Sequence, residues 1–125
     1  MTPMKISLEK TEGLHRFTGY GDGYVEVNGA RHEGALAVAG DRLLPGWTGG
    51  GIDSLRAEDL AALVGLAPEL VLVGTGATFR FPAPALLAPL HEARIGVEVM
   101  DTRAACRTYN ILLAEGRRVV AALLP

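Results

Sequence analysis

The apolar run "LVLVG" (70–74) ends in Gly74-Thr75-Gly76, and Arg80, Pro82 and Pro84 follow before a helical pattern resumes. Glycines after a strand, a nearby cation and a downstream helix are the ingredients of a phosphate-holding loop. The match is partial. Phe79 stands where a dinucleotide fingerprint has its third glycine, no acidic partner follows at the expected distance, and the P-loop lysine is missing. Two prolines also set the next helix several residues downstream, whereas phosphate-cradling glycines run straight into a helix N-terminus. Gly74 and Gly76 are therefore read as a structural turn, with weak small-anion binding secondary to it. Phe79 and Phe81 are expected to anchor the loop on the core and leave Arg80 facing the rim.

A second strand end, Met100-Asp101-Thr102, belongs on the same rim, because ligands of open parallel sheets collect beyond the carboxyl ends of the strands. The candidate ligand-binding rim is thus Thr75, Gly76, Arg80, Asp101, Thr102, Cys106 and Arg107, with Arg103 beside them. Its chemistry would be an anion gripped by Arg80 and Arg107, with Asp101 or Cys106 acting on it. Each residue also has a plainer role. Asp101 precedes a helix and suits a cap, and Cys106 shares a stripe with Asn110 and Leu113 that suits a semi-buried core position. No catalytic residue is assigned. The three histidines lack ligand spacing, so neither a metal nor a cofactor is expected.

The elements that must position this rim follow from the pattern. "GYVEVNGARHEGALAVA" holds two runs about Asn28-Gly29, the dipeptide of a type I′ hairpin. A two-residue turn sets Glu26 opposite Arg31, as an exposed ion pair, and Tyr24 opposite Glu33. Leu36 and Val38 alternate with alanines as in a half-buried strand. "RLLPGWTGGG" reads as a loop. From residue 54 the order becomes α-β-α-β-α-β: a helix in "RAEDLAALVGL", the strand 70–74, a short or irregular helix in "PAPALLAPLHEAR", the strand 95–100, a helix from Asp101 or Thr102 to Gly116, and the strand "RRVVAALL". The fold class is α/β, with parallel C-terminal strands plus N-terminal antiparallel hairpin strands, layered β/β/α, in one domain over 1–125.

With 125 residues, 49% hydrophobic and 21% charged, the chain fits one globular domain. A net charge of −2 gives no basic footprint for nucleic acid. No run is long enough for membrane insertion, and "MTPMKISLEKTEG" has no leader pattern. One cysteine excludes an internal disulfide and fits a reducing, cytoplasmic setting. Leu43, Leu44 and Trp47 form a candidate partner surface, with Trp47 either plugging the core or anchoring a partner.

Three segments, "YGDGYVEVNG", "LVLVGTG" and "GVEVMDTRAACRTYNILLAEGRRVVAALL", resemble the domain family that includes mitochondrial respiratory complex I assembly factor three and the adipogenesis-associated cytosolic domain protein, alongside many bacterial and archaeal proteins. The likeness covers nearly the whole chain and is most specific over 96–124. It implies strands in two layers against helices, a non-catalytic assembly or binding role with a protein partner not identified by it, and no established enzyme activity in bacterial members. The mitochondrial member's targeting extension has no counterpart here. Gly74, Thr75, Gly76, Asp101, Cys106, Arg107, Tyr109 and Asn110 match without carrying an assigned role, and Arg103 replaces an expected glycine.

Overall fold

The computed structural model describes residues 13–125; the leader-free reading of the N-terminus lies largely outside them. The strands are β1 (Phe17–Gly21), β2 (Tyr24–Val27), β3 (Ala30–Glu33), β4 (Leu36–Val38), β5 (Leu43–Pro45), β6 (Leu70–Gly74), β7 (Gly96–Met100) and β8 (Val119–Leu123). The α-helices are α1 (Ala57–Ala61), α2 (Ala88–Glu92) and α3 (Thr102–Ala114). Two sheets result. One is the three-stranded antiparallel β1-β2-β3; the other has five strands in the order β5-β4-β8-β6-β7. Within it β6, β7 and β8 run parallel, and β4 is antiparallel to β5 and β8.

The hairpin forms at the position and register read from Asn28-Gly29. Val27 pairs with Ala30, and the two turn residues take φ of 48° and 84°, the left-handed values a type I′ turn requires. Asn28 also ties down the incoming chain: its Oδ1 accepts from the Arg16 N–H at 2.9 Å and its Nδ2 donates to the Leu14 carbonyl. Glu26 does sit opposite Arg31, but the ion pair does not form. Glu26 accepts a 2.8 Å bond from the Thr18 hydroxyl, and Arg31 lies 4.0 Å over the Tyr24 ring. An exposed ion pair is worth too little to outcompete a local hydroxyl and an aromatic face.

Every residue of β8 is buried, and successive side chains enter alternate cores. Val119, Ala121 and Leu123 enter one core, and Val120, Ala122 and Leu124 the other. The continuous apolar runs of β6 and β8 thus reflect a sheet covered on both sides. β4, read as half-buried, is buried on both faces for the same reason. The stretch read as a loop at 43–45 is a strand, recruited by pairing with β4 after a tight reversal closed by the Ala39 N–H to the Arg42 carbonyl.

On the first face α3 and the three-stranded sheet contribute to the same core. Tyr109 meets Phe17 edge-on at 5.2 Å and donates to the His15 carbonyl at 2.7 Å. Asn110 accepts from the Phe17 N–H and donates to the Phe17 carbonyl, as a neighbouring strand would. On the second face the cover is made of short pieces: 3-10 turns at Ile52–Ser54, Ala62–Leu66 and Pro84–Leu87, with α1 and α2. The helix read across 56–66 stops being α-helical at Ala61, and the 3-10 stretch that follows ends at Ala67 with φ 52°. The proline-broken helix is short, as its sequence requires.

Candidate functional site

The turn after β6 is packed too tightly for a side chain. A Cβ on Gly74 would come within 2.6 Å of Leu123 Cδ2 and 3.2 Å of Ala105 Cβ, and Gly76 has φ 91°. Its polar groups are spoken for. The Thr75 N–H donates to the Met100 carbonyl at 2.9 Å, and the buried Thr75 hydroxyl donates to the Thr78 carbonyl at 2.7 Å and accepts from the Arg80 N–H at 3.1 Å. Gly76 and Thr102 are joined twice: the Gly76 N–H donates to Thr102 Oγ1, and the Thr102 N–H to the Gly76 carbonyl, each at 2.9 Å. Asp101 caps α3, its Oδ1 accepting from the Ala104 N–H at 2.9 Å. The N–H groups of Thr75 and Gly76, which a phosphate would need, already have partners.

The remaining candidate residues go three ways. Arg80 makes a two-bond fork to Asp53, at 2.7 and 3.3 Å, which ties the loop to the 3-10 turn on the second face. That guanidinium holds the Asp53 carboxyl below its ordinary range. Arg107 donates to the Tyr20 hydroxyl at 3.1 Å, on the first face. Neither arginine bonds Asp101, because each finds a partner in the layer covering its own side of the sheet. Cys106 is 1% exposed, inside the first core, where burial pushes its thiol up to about 12 against a smaller opposing pull from Arg107. A thiol so held is not a thiolate at neutral pH.

The structure brings Gly76, Asp101 and Thr102 to one cavity of about 600 Å³ between the three-stranded sheet and the strand-end rim. Its other lining residues include Tyr20, Val25, His32, Arg103 and Leu123, whereas Thr75, Arg80, Cys106 and Arg107 lie outside its wall. Sequence reasoning missed Tyr20 and His32. The signal was present in the hairpin register, which sets His32 opposite Val25 on the inward face.

Of the candidate partner surface, Trp47 donates from its indole N–H to the Leu123 carbonyl at 2.9 Å and packs with Leu44 on the second core; Leu43 packs on the first. All three are half-buried. The exposed aromatics are elsewhere. Phe79 and Phe81 are 58% and 62% exposed, with rings edge-on at 6.2 Å. They do not anchor their loop on the core; Thr75, the Arg80–Asp53 fork and buried Pro82 do that. Among the described residues no cluster of three His, Cys, Asp or Glu could hold a metal, and no helix is long and apolar enough to cross a membrane.

A family model described as a protein of unknown function (DUF498/DUF598) matches residues 17–124. An uncharacterized protein of Rhodobacter capsulatus is 42% identical over 109 residues, covering 86% of this chain and 82% of its own. The Xenopus tropicalis protein named NADH dehydrogenase (ubiquinone) 1 alpha subcomplex assembly factor 3 is 31% identical over 126 residues, covering 99% of this chain and 68% of its own. A crystal structure of a Bordetella parapertussis protein superposes with a TM-score of 0.83 at 49% identity, covering 90% of this chain and 96% of that one.

Proposed function

The chain belongs to the family described as protein of unknown function (DUF498/DUF598), and from that membership we propose that it is a non-catalytic, assembly-factor-like domain that works in the cytoplasm by binding a protein partner. Similarity to a protein named as an NADH dehydrogenase assembly factor supports the class of role. The observation that carries the reading is the exposed Phe79–Phe81 pair. Two aromatic rings stand in solvent on a loop pinned by Thr75 and by the Arg80–Asp53 fork. Pre-organised aromatic anchors are what protein interfaces use as hot spots, because little entropy remains to be lost on docking. In this reading the whole of 1–125 acts as one domain, and Leu43, Leu44 and Trp47 serve the fold by packing on its two cores. The alternative, an anion-binding enzyme or sensor using Arg80, Asp101, Cys106 and Arg107, has no support in the geometry, since those groups face different partners.

Co-purification at native expression level, followed by mass spectrometry, tests the proposal. The double variant Phe79→Ser/Phe81→Ser should lose the wild-type partner by about tenfold or more, the scale of one hot spot, with an unchanged melting temperature. Equal recovery of that partner by both proteins would overturn the reading.

A further inference from the structure

The 600 Å³ cavity beside the start of α3 lies in the range of small-molecule sites and is separate from the Phe79–Phe81 surface. Its inner wall is one rung of the three-stranded sheet: Tyr20 pairs with Val25, and Val25 with His32. Residues opposite one another in antiparallel strands point to the same side, so a phenol, a buried valine and an imidazole form one continuous platform. Leu123 adds apolar surface from β8. A flat apolar body fits such a wall better than a compact inorganic ion does.

Arg103 decides the polar end. Its guanidinium lies 5.7 Å from the Tyr20 ring centroid and 3.6 Å from an Asp22 carboxylate that is fully exposed in the β1–β2 turn. Both residues line the cavity, and their contact is a clasp between α3 and the β1–β2 turn. An ion pair that open to water contributes little, so Arg103 is the cation that another carboxylate can take over. The second carboxylate in the wall, Asp101, spends one oxygen on the cap of α3 and has Arg107 within Coulombic reach. One guanidinium fork suits one carboxylate, and a dianionic phosphate would face Asp101 with too little compensating charge.

We propose that this cavity binds a small organic acid with a flat, apolar body, whose carboxylate displaces Asp22 from Arg103 while its body lies on Tyr20, Val25 and His32. Asp22 then competes with the ligand, and the two members of the clasp have opposite effects on affinity.

The test is an amide-shift NMR titration of the full chain with benzoate as probe, beside benzamide and inorganic phosphate. Benzoate should saturate at millimolar concentration, an affinity natural for so small a probe. Its shifts should map to 20–25, 32 and 102–103, while benzamide and phosphate bind more weakly at those amides. Arg103→Ala should weaken benzoate about tenfold, as loss of one charge-assisted contact does, and Asp22→Ala should tighten it. Both side chains are exposed, so each variant can be checked as folded from its own spectrum. Equal binding of benzamide, shifts mapping elsewhere, no saturation, or weakening by Asp22→Ala would each overturn the proposal, whether or not the protein-partner reading stands.

Discussion

The two faces of the five-stranded sheet are covered by different means. On one side a single 13-residue helix and a three-stranded sheet are joined by the Tyr109–Phe17 contact, the Tyr109 hydrogen bond to His15 and the two hydrogen bonds between Asn110 and the Phe17 backbone. On the other, α1, α2 and three 3-10 turns cover a comparable apolar surface in five short pieces. A long helix can carry charge-bearing or cavity-lining residues at fixed spacing, and the cavity lies on that side. A patchwork leaves loops between its pieces, and the exposed phenylalanines are on such a loop. Rigid cover positions a pocket; broken cover presents a surface.

The comparison is tested most strongly at Tyr109. Tyr109→Ala removes a fully buried ring and its hydroxyl bond, and should cost about 3–5 kcal/mol in denaturant unfolding. Because Tyr109 joins α3 to β1, the loss should appear first as faster amide exchange in the three-stranded sheet, with α1 and α2 still protected. Simultaneous loss of protection on both faces would show that the two covers act as one unit.

Cys106, on the same face, gives an effect of intermediate size with a definite sign. Burial pushes its folded-state pKa up to about 12, above the ordinary 9.0 of a thiol in water. The unfolded thiol ionises first, so the contribution is fully present below pH about 9 and is lost as pH rises towards 12, at about 1.4 kcal/mol per pH unit in the limit. Stability of Cys106→Ala measured across that range should fall less steeply than that of wild type. Parallel curves, or rapid maleimide labelling of native wild-type protein at neutral pH, would refute the buried-thiol account.

The smallest expected effect is that of Asp101. Asp101→Ala removes the side-chain acceptor of the Ala104 N–H and should cost about 1 kcal/mol in chemical denaturation, the usual worth of a cap. A loss several times larger would mean that Asp101 organises the rim beyond its own helix.

Much of this arrangement was legible in the chain. Asn28-Gly29 specifies its turn chemically, the run 70–74 is too apolar for an uncovered strand, and Asp101 followed by an amphipathic stretch identifies α3. What escaped depends on partners far away in sequence. β5 is a strand because β4 offers it an edge, and nothing in "LLP" announces that. Phe79 and Phe81 alternate as core residues would, yet buried Pro82 and the Thr75 bonds direct the intervening chain so that both rings face water. The position of the strand ends follows from topology, but which side chains line the cavity beside them does not. Whether an arginine at a strand end enters a pocket depends on which covering layer offers an acceptor, Asp53 for Arg80 and Tyr20 for Arg107.

The sheet order has a consequence for how the molecule comes into being. The last strand in sequence, β8, lies in the middle, between β4 and β6. Until residue 123 has left the ribosome, the 36–38 and 70–74 segments have no neighbour to join them, and each presents an open backbone edge. Until then the β4–β5 and β6–β7 pairs stand apart, each with one apolar strand edge open to misassembly and to chaperone capture. The central sheet closes only when β8 joins these two pairs, a long-range event, whereas the hairpin ahead of it folds from local contacts.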